Sequence, residues 1–202
     1  MQNLHDKKIA FYKISIGVVL VVFSQLIDVS FFKYFGYLEV LLGFVFYIYQ
    51  LYLIFKTKVR KQKDIYYLYI VFAVISFILA LILSCFYFIY LNDYILSVAG
   101  FVFLIGFLSP MITAHLYKIV PFLVWFHRFS SLVGKQKVPM LADMVPLKSS
   151  NFGFSFYLIG FILSLIAFSL NSDILFKSAV SFLFIGTLFI VKDVFYIINF
   201  KG

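Results

Sequence analysis

Residues 65–91 read IYYLYIVFAVISFILALILSCFYFIYL, a run without a single charged side chain. A bilayer core of about 30 Å takes about 20 residues of helix to cross, so this run is long enough to span it. Hydrocarbon offers no partner to a backbone N–H or C=O, and a helix satisfies them all internally. The stretch therefore reads as a transmembrane α-helix. Five more runs read the same way, giving spans at Ile9–Ile27, Tyr37–Phe55, Ile65–Leu91, Ile95–Tyr117, Phe152–Leu170 and Ile174–Ile198. The expectation is an all-α protein, a polytopic membrane bundle of six transmembrane helices forming one membrane domain over residues 1–202. The first run is too long for a signal peptide and lacks a small-residue cleavage site, so it is read as a retained anchor.

Composition agrees. Of 202 residues, 64% are hydrophobic and 12% charged, whereas a soluble domain carries about a quarter charged residues. Such a chain has too little polar surface to coat a globule in water, and the solvent it implies is lipid. The joints are short and carry turn residues, Asn92-Asp93 after the third span and Asn171-Ser172-Asp173 after the fifth. Loops of that length make tight antiparallel helical hairpins.

The net charge of +9 does not point to nucleic acid, because the cations fall in short clusters between apolar runs. Lys7, Lys8 and Lys13 flank the first span, and Lys56, Lys58, Arg60, Lys61 and Lys63 fill the second loop. Lys118, Arg128, Lys135, Lys137 and Lys148 fall in the fourth, and Lys192 and Lys201 lie at the C-terminal end. Only Lys33 and Lys177 fall on the opposite side. The positive-inside rule then puts both termini in the cytoplasm of a bacterial inner membrane.

Charged groups inside spans are costly and are functional suspects by default. Lys13, Glu39, Lys177 and the Lys192-Asp193 pair lie close enough to span ends for their side chains to snorkel to the headgroups. Gln25, Gln50, Ser76, Ser84 and Ser164 can bond between helices, and Gly43, Gly100, Gly106, Gly160 and Gly186 permit close approach. With no carboxylate expected near the midplane, ion-coupled transport is disfavoured. Cys85, the sole cysteine, excludes an intrachain disulfide and reads as a small core hydrophobe.

The fourth span overruns the membrane. From Ile95 to His127, one helix would be about 50 Å long, and Pro110 and Pro121 each remove a backbone donor and kink the axis. The span is expected to end near Tyr117 and to continue, bent at Pro121, as a cytoplasmic interfacial segment anchored by Lys118, Trp125 and Arg128. Segment and loop together cover residues 118–151. The loop has two prolines, Pro139 and Pro146, around an apolar stretch that should pack back onto the protein or the membrane.

Two of the three histidines, His115 and His127, and three of the four methionines, Met111, Met140 and Met144, fall in this region. Met111 and His115 are four apart and share a helix face. Imidazole and thioether are ligands for haem iron or Cu(I). That makes His115, Met111 and His127 candidates to hold haem, and His115, Met140 and Met144 candidates to hold copper. The competing reading is that the methionines fill gaps and the histidines bond a carbonyl or a headgroup.

The pattern Ile112-x-x-x-Leu116-Tyr117-Lys118-Ile119-Val120-Pro121-Phe122-Leu123 resembles a helix-end motif in bacterial membrane proteins related to the haem-copper oxidase catalytic subunit and to the NnrS proteins. The resemblance implies a bundle of oxidase-like helices tied to respiratory or nitric-oxide metabolism. Three histidines, with His5 outside the membrane, are too few for the oxidase's full set of haems and copper. What the resemblance then implies is one haem, shared across a dimer, or the scaffold without a cofactor.

Nothing points to an enzyme, for there is no paired carboxylate, nucleophile–base set or phosphate loop. Three classes remain. They are a haem- or copper-linked accessory or sensor, a small oligomeric transporter or channel, and a cofactor-free structural subunit. The expected partners are the bilayer, a second copy or a membrane complex, and no nucleic acid.

Overall fold

A computed structural model describes residues 4–27, 29–57 and 64–200. The chain is all-helical, 87% helix, with no strand among the described residues. The helices are α1 (Leu4–Ile27), α2 (Ser30–Thr57), α3 (Ile65–Tyr90), α4 (Asp93–Phe101), α5 (Ser109–Arg128), α6 (Leu147–Leu170) and α7 (Asp173–Ile198). A π-helical segment, Val102–Leu108, joins α4 to α5 so that Asp93–Arg128 is one continuous rod. Among the described residues six helices are long and apolar enough to cross a membrane. The architecture is that expected of a multi-pass membrane protein.

The turn residues Asn92 and Asn171 lie at helix ends as expected, and Asp64 adds a cap that was not expected. Asp64 caps α3 by accepting from the Tyr67 N–H at 3.1 Å, and Asn92 caps α4 by accepting from the Tyr94 N–H at 2.9 Å. Leu91 and Asn171 end α3 and α6 in the left-handed region, at φ 49° and 48°. Asn tolerates that conformation and Leu does not readily, so Leu91 is held there by a 2.7 Å bond from its N–H to the Tyr87 carbonyl.

The helices form two compact units, one of α1 and α2, the other of α3 to α7. In the first, α2 begins at Ser30, seven residues before the expected Tyr37. Gly17 and Gly36 bring the two backbones together: a Cβ on Gly17 would stand 2.7 Å from the Gly36 carbonyl oxygen. Lys13 and Glu39 do not both turn to the headgroups. They pair with each other at 2.9 Å, with exposures of 30% and 17%. Glu39 lies about two turns inside its apolar helix, Phe31–Ile54, deeper than the shorter expected span placed it.

In the second unit α6 and α7 pack along a seam. Gly153, Tyr157, Gly160, Ser164 and Ala167 are buried on α6; Ala179, Leu183, Gly186, Ile190, Asp193 and Ile197 are buried on α7. Spacings alternating between three and four residues are those of a left-handed antiparallel pair. A Cβ on Gly160 would meet Leu183 N at 2.7 Å, and one on Gly186 would meet Tyr157 N at 2.8 Å. The core around Phe72, Ala80, Val102, Tyr157, Phe161 and Leu183 fills the space between this pair and α3 and the π segment.

Beyond Tyr117 the fourth helix continues, as expected, and α5 runs through a buried Pro121 to Arg128. A register change that was not expected lies upstream of Pro110, where the Ser109 N–H bonds the Leu104 carbonyl five residues back. The loop that follows packs back as expected, with Phe129 and Met144 buried.

Candidate functional site

His115 lies on an exposed face of α5. Its Nδ1 is 2.7 Å from the Met111 carbonyl oxygen, one turn back. The ring stands edge-on to Tyr66 at 5.9 Å, and the Lys118 ammonium sits 4.3 Å over the same Tyr66 ring. His115, Tyr66 and Lys118 thus form one exposed group shared by α3 and α5.

The remaining candidates are dispersed. Met111 shares a helix face with His115 and is half-buried. His127 is exposed, edge-on to Phe126 at 5.8 Å. Met140 is 74% exposed and Met144 is fully enclosed, so the two thioethers occupy different surroundings. Asp143 accepts the Met140 N–H at 2.9 Å and pins the turn between them. Among the described residues no group of three or more His, Cys, Asp or Glu side chains is placed to hold a metal ion.

The three expected anchors all make bonds or contacts within the chain. Lys118 covers Tyr66, Trp125 Nε1 donates to the Pro139 carbonyl at 2.9 Å, and Arg128 donates to the Phe200 carbonyl at 2.7 Å. The last two fasten the loop and the end of α7 to the end of α5.

A second site was not anticipated. Asp193 is expected from its position near a helix end to snorkel, yet it is 0% exposed. The Tyr117 hydroxyl on α5 donates to Asp193 Oδ2 at 2.7 Å. Tyr69 on α3, also 0% exposed, stacks on Tyr117 with ring centroids 5.9 Å apart. The α6–α7 register that sets Gly160 against Leu183 and Tyr157 against Gly186 brings the fully buried Ser150 to the level of Asp193. Four helices therefore contribute oxygen atoms to one buried layer, at the end where α3 and α6 begin and α5 and α7 finish. Within it Asp193 Oδ1 and the Tyr69 hydroxyl have no hydrogen-bond partner among the described residues.

Asp193 lies seven residues after the buried Gly186, and Tyr117 four before the buried Pro121, so each falls on the buried stripe of its helix.

Comparison with protein-family models, with curated proteins and with solved structures finds no match to this chain.

Proposed function

We propose that the chain is a multi-pass protein of the bacterial cytoplasmic membrane, both termini inside, that serves as a haem- or copper-linked accessory or sensor in respiratory or nitric-oxide metabolism. The observation that carries this reading is the 2.7 Å approach of His115 Nδ1 to the Met111 carbonyl. A carbonyl only accepts, so in the neutral ring the proton is on Nδ1 and Nε2 keeps its lone pair. Metal-ligating histidines are held in this way, one ring nitrogen donating to a carbonyl while the other faces the metal.

The exposed position of His115 suits a ligand offered to a group lying outside the single chain. His115 from each of two copies would hold one haem, which would make the working form an oligomer. Lys118, one turn further on and also exposed, is placed to offset an anionic substituent of the bound group. Haem bound there would supply one-electron chemistry or a site for a diatomic gas. Copper is the weaker fit, because Met140 and Met144 do not share a surrounding with each other. The orientation is supported by the basic side chains, fifteen of which fall on one side of the expected spans and two on the other.

The test is an ultraviolet–visible spectrum with elemental analysis of protein purified in mild detergent from cells supplied with haem precursor and copper. The expected result is a Soret band or bound copper, lost in His115→Ala and kept in His127→Ala. A colourless, metal-free preparation overturns the reading.

A further inference from the structure

We infer that the buried layer around Asp193 is a binding site for one monovalent cation. The inference is independent of any group at His115. It begins from an imbalance. A carboxylate buried in low dielectric needs a partner for each of its oxygens, and leaving one bare is costly. Asp193 has one partner, Tyr117, on Oδ2, while Oδ1 has none. The Tyr69 hydroxyl, stacked alongside on Tyr117, is likewise buried without a partner. Among the described residues the layer thus holds two oxygens with lone pairs free to accept one positive charge.

Among the described residues no ion pair reaches Asp193; the one formed is Lys13 with Glu39, in the other unit. Lys192, next to Asp193 in sequence, sets its ammonium 5.6 Å from the Phe189 ring, and Lys118, next to Tyr117, covers Tyr66. The titratable groups facing Asp193 are Tyr69 from α3 and Tyr117 from α5. From α6 comes Ser150 at the same level. Its proton is donated to the Pro146 and Leu147 carbonyls at 3.2 Å, so that the oxygen lone pairs remain. The Tyr157 hydroxyl further along α6 is committed to the Ile105 carbonyl.

The donor set defines the class of ligand. It is one carboxylate with phenol and serine hydroxyls, all hard oxygens, and no nitrogen or sulfur. Hard oxygen donors suit an alkali-metal ion or a proton and disfavour soft transition metals. A single carboxylate among neutral hydroxyls balances one unit of charge, and a divalent ion would leave an excess in the apolar interior. With Asp193, Tyr69 and Ser150 all 0% exposed, the ion must enter without its hydration shell, which excludes bulky organic cations.

The experiment measures the unfolding midpoint of the full chain in mild detergent. Sodium or potassium chloride is titrated against choline chloride at constant ionic strength, over a series of pH values. An alkali-metal occupant raises the midpoint saturably at fixed pH, whereas a proton raises it on acidification with no alkali-metal dependence. Either response, abolished in Asp193→Asn, supports the site. Tyr69→Phe removes only an unpartnered hydroxyl and should fold at least as well as the parent. It is expected to weaken the apparent affinity by about tenfold, the worth of a bond to a charged group. If neither ion nor pH moves the parent midpoint, or if Asp193→Asn and Tyr69→Phe both respond as the parent does, the inference is overturned.

Discussion

The Tyr157 hydroxyl on α6 donates to the Ile105 carbonyl at 2.7 Å, in the segment where the fourth span leaves α-helical register. In that π register Ser109 N–H reaches Leu104 O, and the next donor, for Ile105 O, would be residue 110. Pro110 has no N–H to give. The carbonyl freed by the proline is thus satisfied from the neighbouring helix, and an irregular turn is kept inside an apolar helix without leaving this acceptor bare.

Tyr157→Phe is therefore expected to lower stability by about 1–3 kcal/mol, the cost of stranding a buried acceptor. Unfolding in detergent reads the loss. Hydrogen exchange should quicken around residues 102–110 in particular. Adding Pro110→Ala restores a donor next to Ile105, and the double variant should recover part of the loss. A Tyr157→Phe protein as stable as the parent would remove the hydroxyl from this role.

Glycine substitutions should separate packing sites from open ones. At Gly160 a Cβ would lie 2.7 Å from Leu183 N and 2.9 Å from the Ala179 oxygen, both backbone atoms that cannot step aside. Gly160→Ala is expected to force α6 and α7 apart and to cost about 2 kcal/mol, within the range of overpacked cores. At Gly100 nothing stands within 4 Å of the same position. Gly100→Ala should be neutral or stabilising by up to about 1 kcal/mol through helix propensity. Unfolding of the two variants side by side checks the contrast.

How far the sequence could be read is clear from particular residues. Apolar length and turn residues placed the spans and the turns at Asn92 and Asn171, because those signals are local, whereas the Asp64 cap went unremarked. Gly160 and Gly186 were legible as points of close approach, whereas Gly100, identical in kind, faces open space and Gly153 went unremarked. Which stripe of an apolar helix turns inward is set by its neighbours, and on a helix apolar all round the pattern carries little of it. Asp193 was misjudged for the same reason. Its distance from a helix end suggested an escape to the headgroups, while its register with Gly186 commits it to the seam. Lys13 and Glu39 lie 26 residues apart, and only the hairpin geometry brings them together.

The sidedness of the bundle can be tested by thiol labelling in a Cys85→Ser background. Gln136→Cys, on the exposed loop after α5, and Ser172→Cys, between α6 and α7, fall at opposite ends of α6. With both termini inside, an impermeant maleimide added to intact cells should label Ser172→Cys and spare Gln136→Cys. Permeabilised cells should label both. The reverse pattern would invert the orientation drawn from the basic side chains.

The Lys13–Glu39 pair closes at 2.9 Å along the α1–α2 hairpin. Each charge compensates the other in surroundings that hydrate neither well. Removing one leaves the other unpaired within an apolar helix, which is destabilising, though less than for a fully enclosed pair because Lys13 is 30% exposed. Lys13→Met and Glu39→Gln should each destabilise the hairpin, read as faster hydrogen exchange across α1 and α2. The double variant, neutral at both positions, should recover most of the loss, because an uncharged pair carries no desolvation penalty. The exchanged pair, Lys13→Glu with Glu39→Lys, separates charge complementarity from local context. Recovery there assigns the stability to the pairing itself. If the single variants exchange as slowly as the parent, the two side chains reach the headgroups independently and the ion pair contributes nothing to the hairpin.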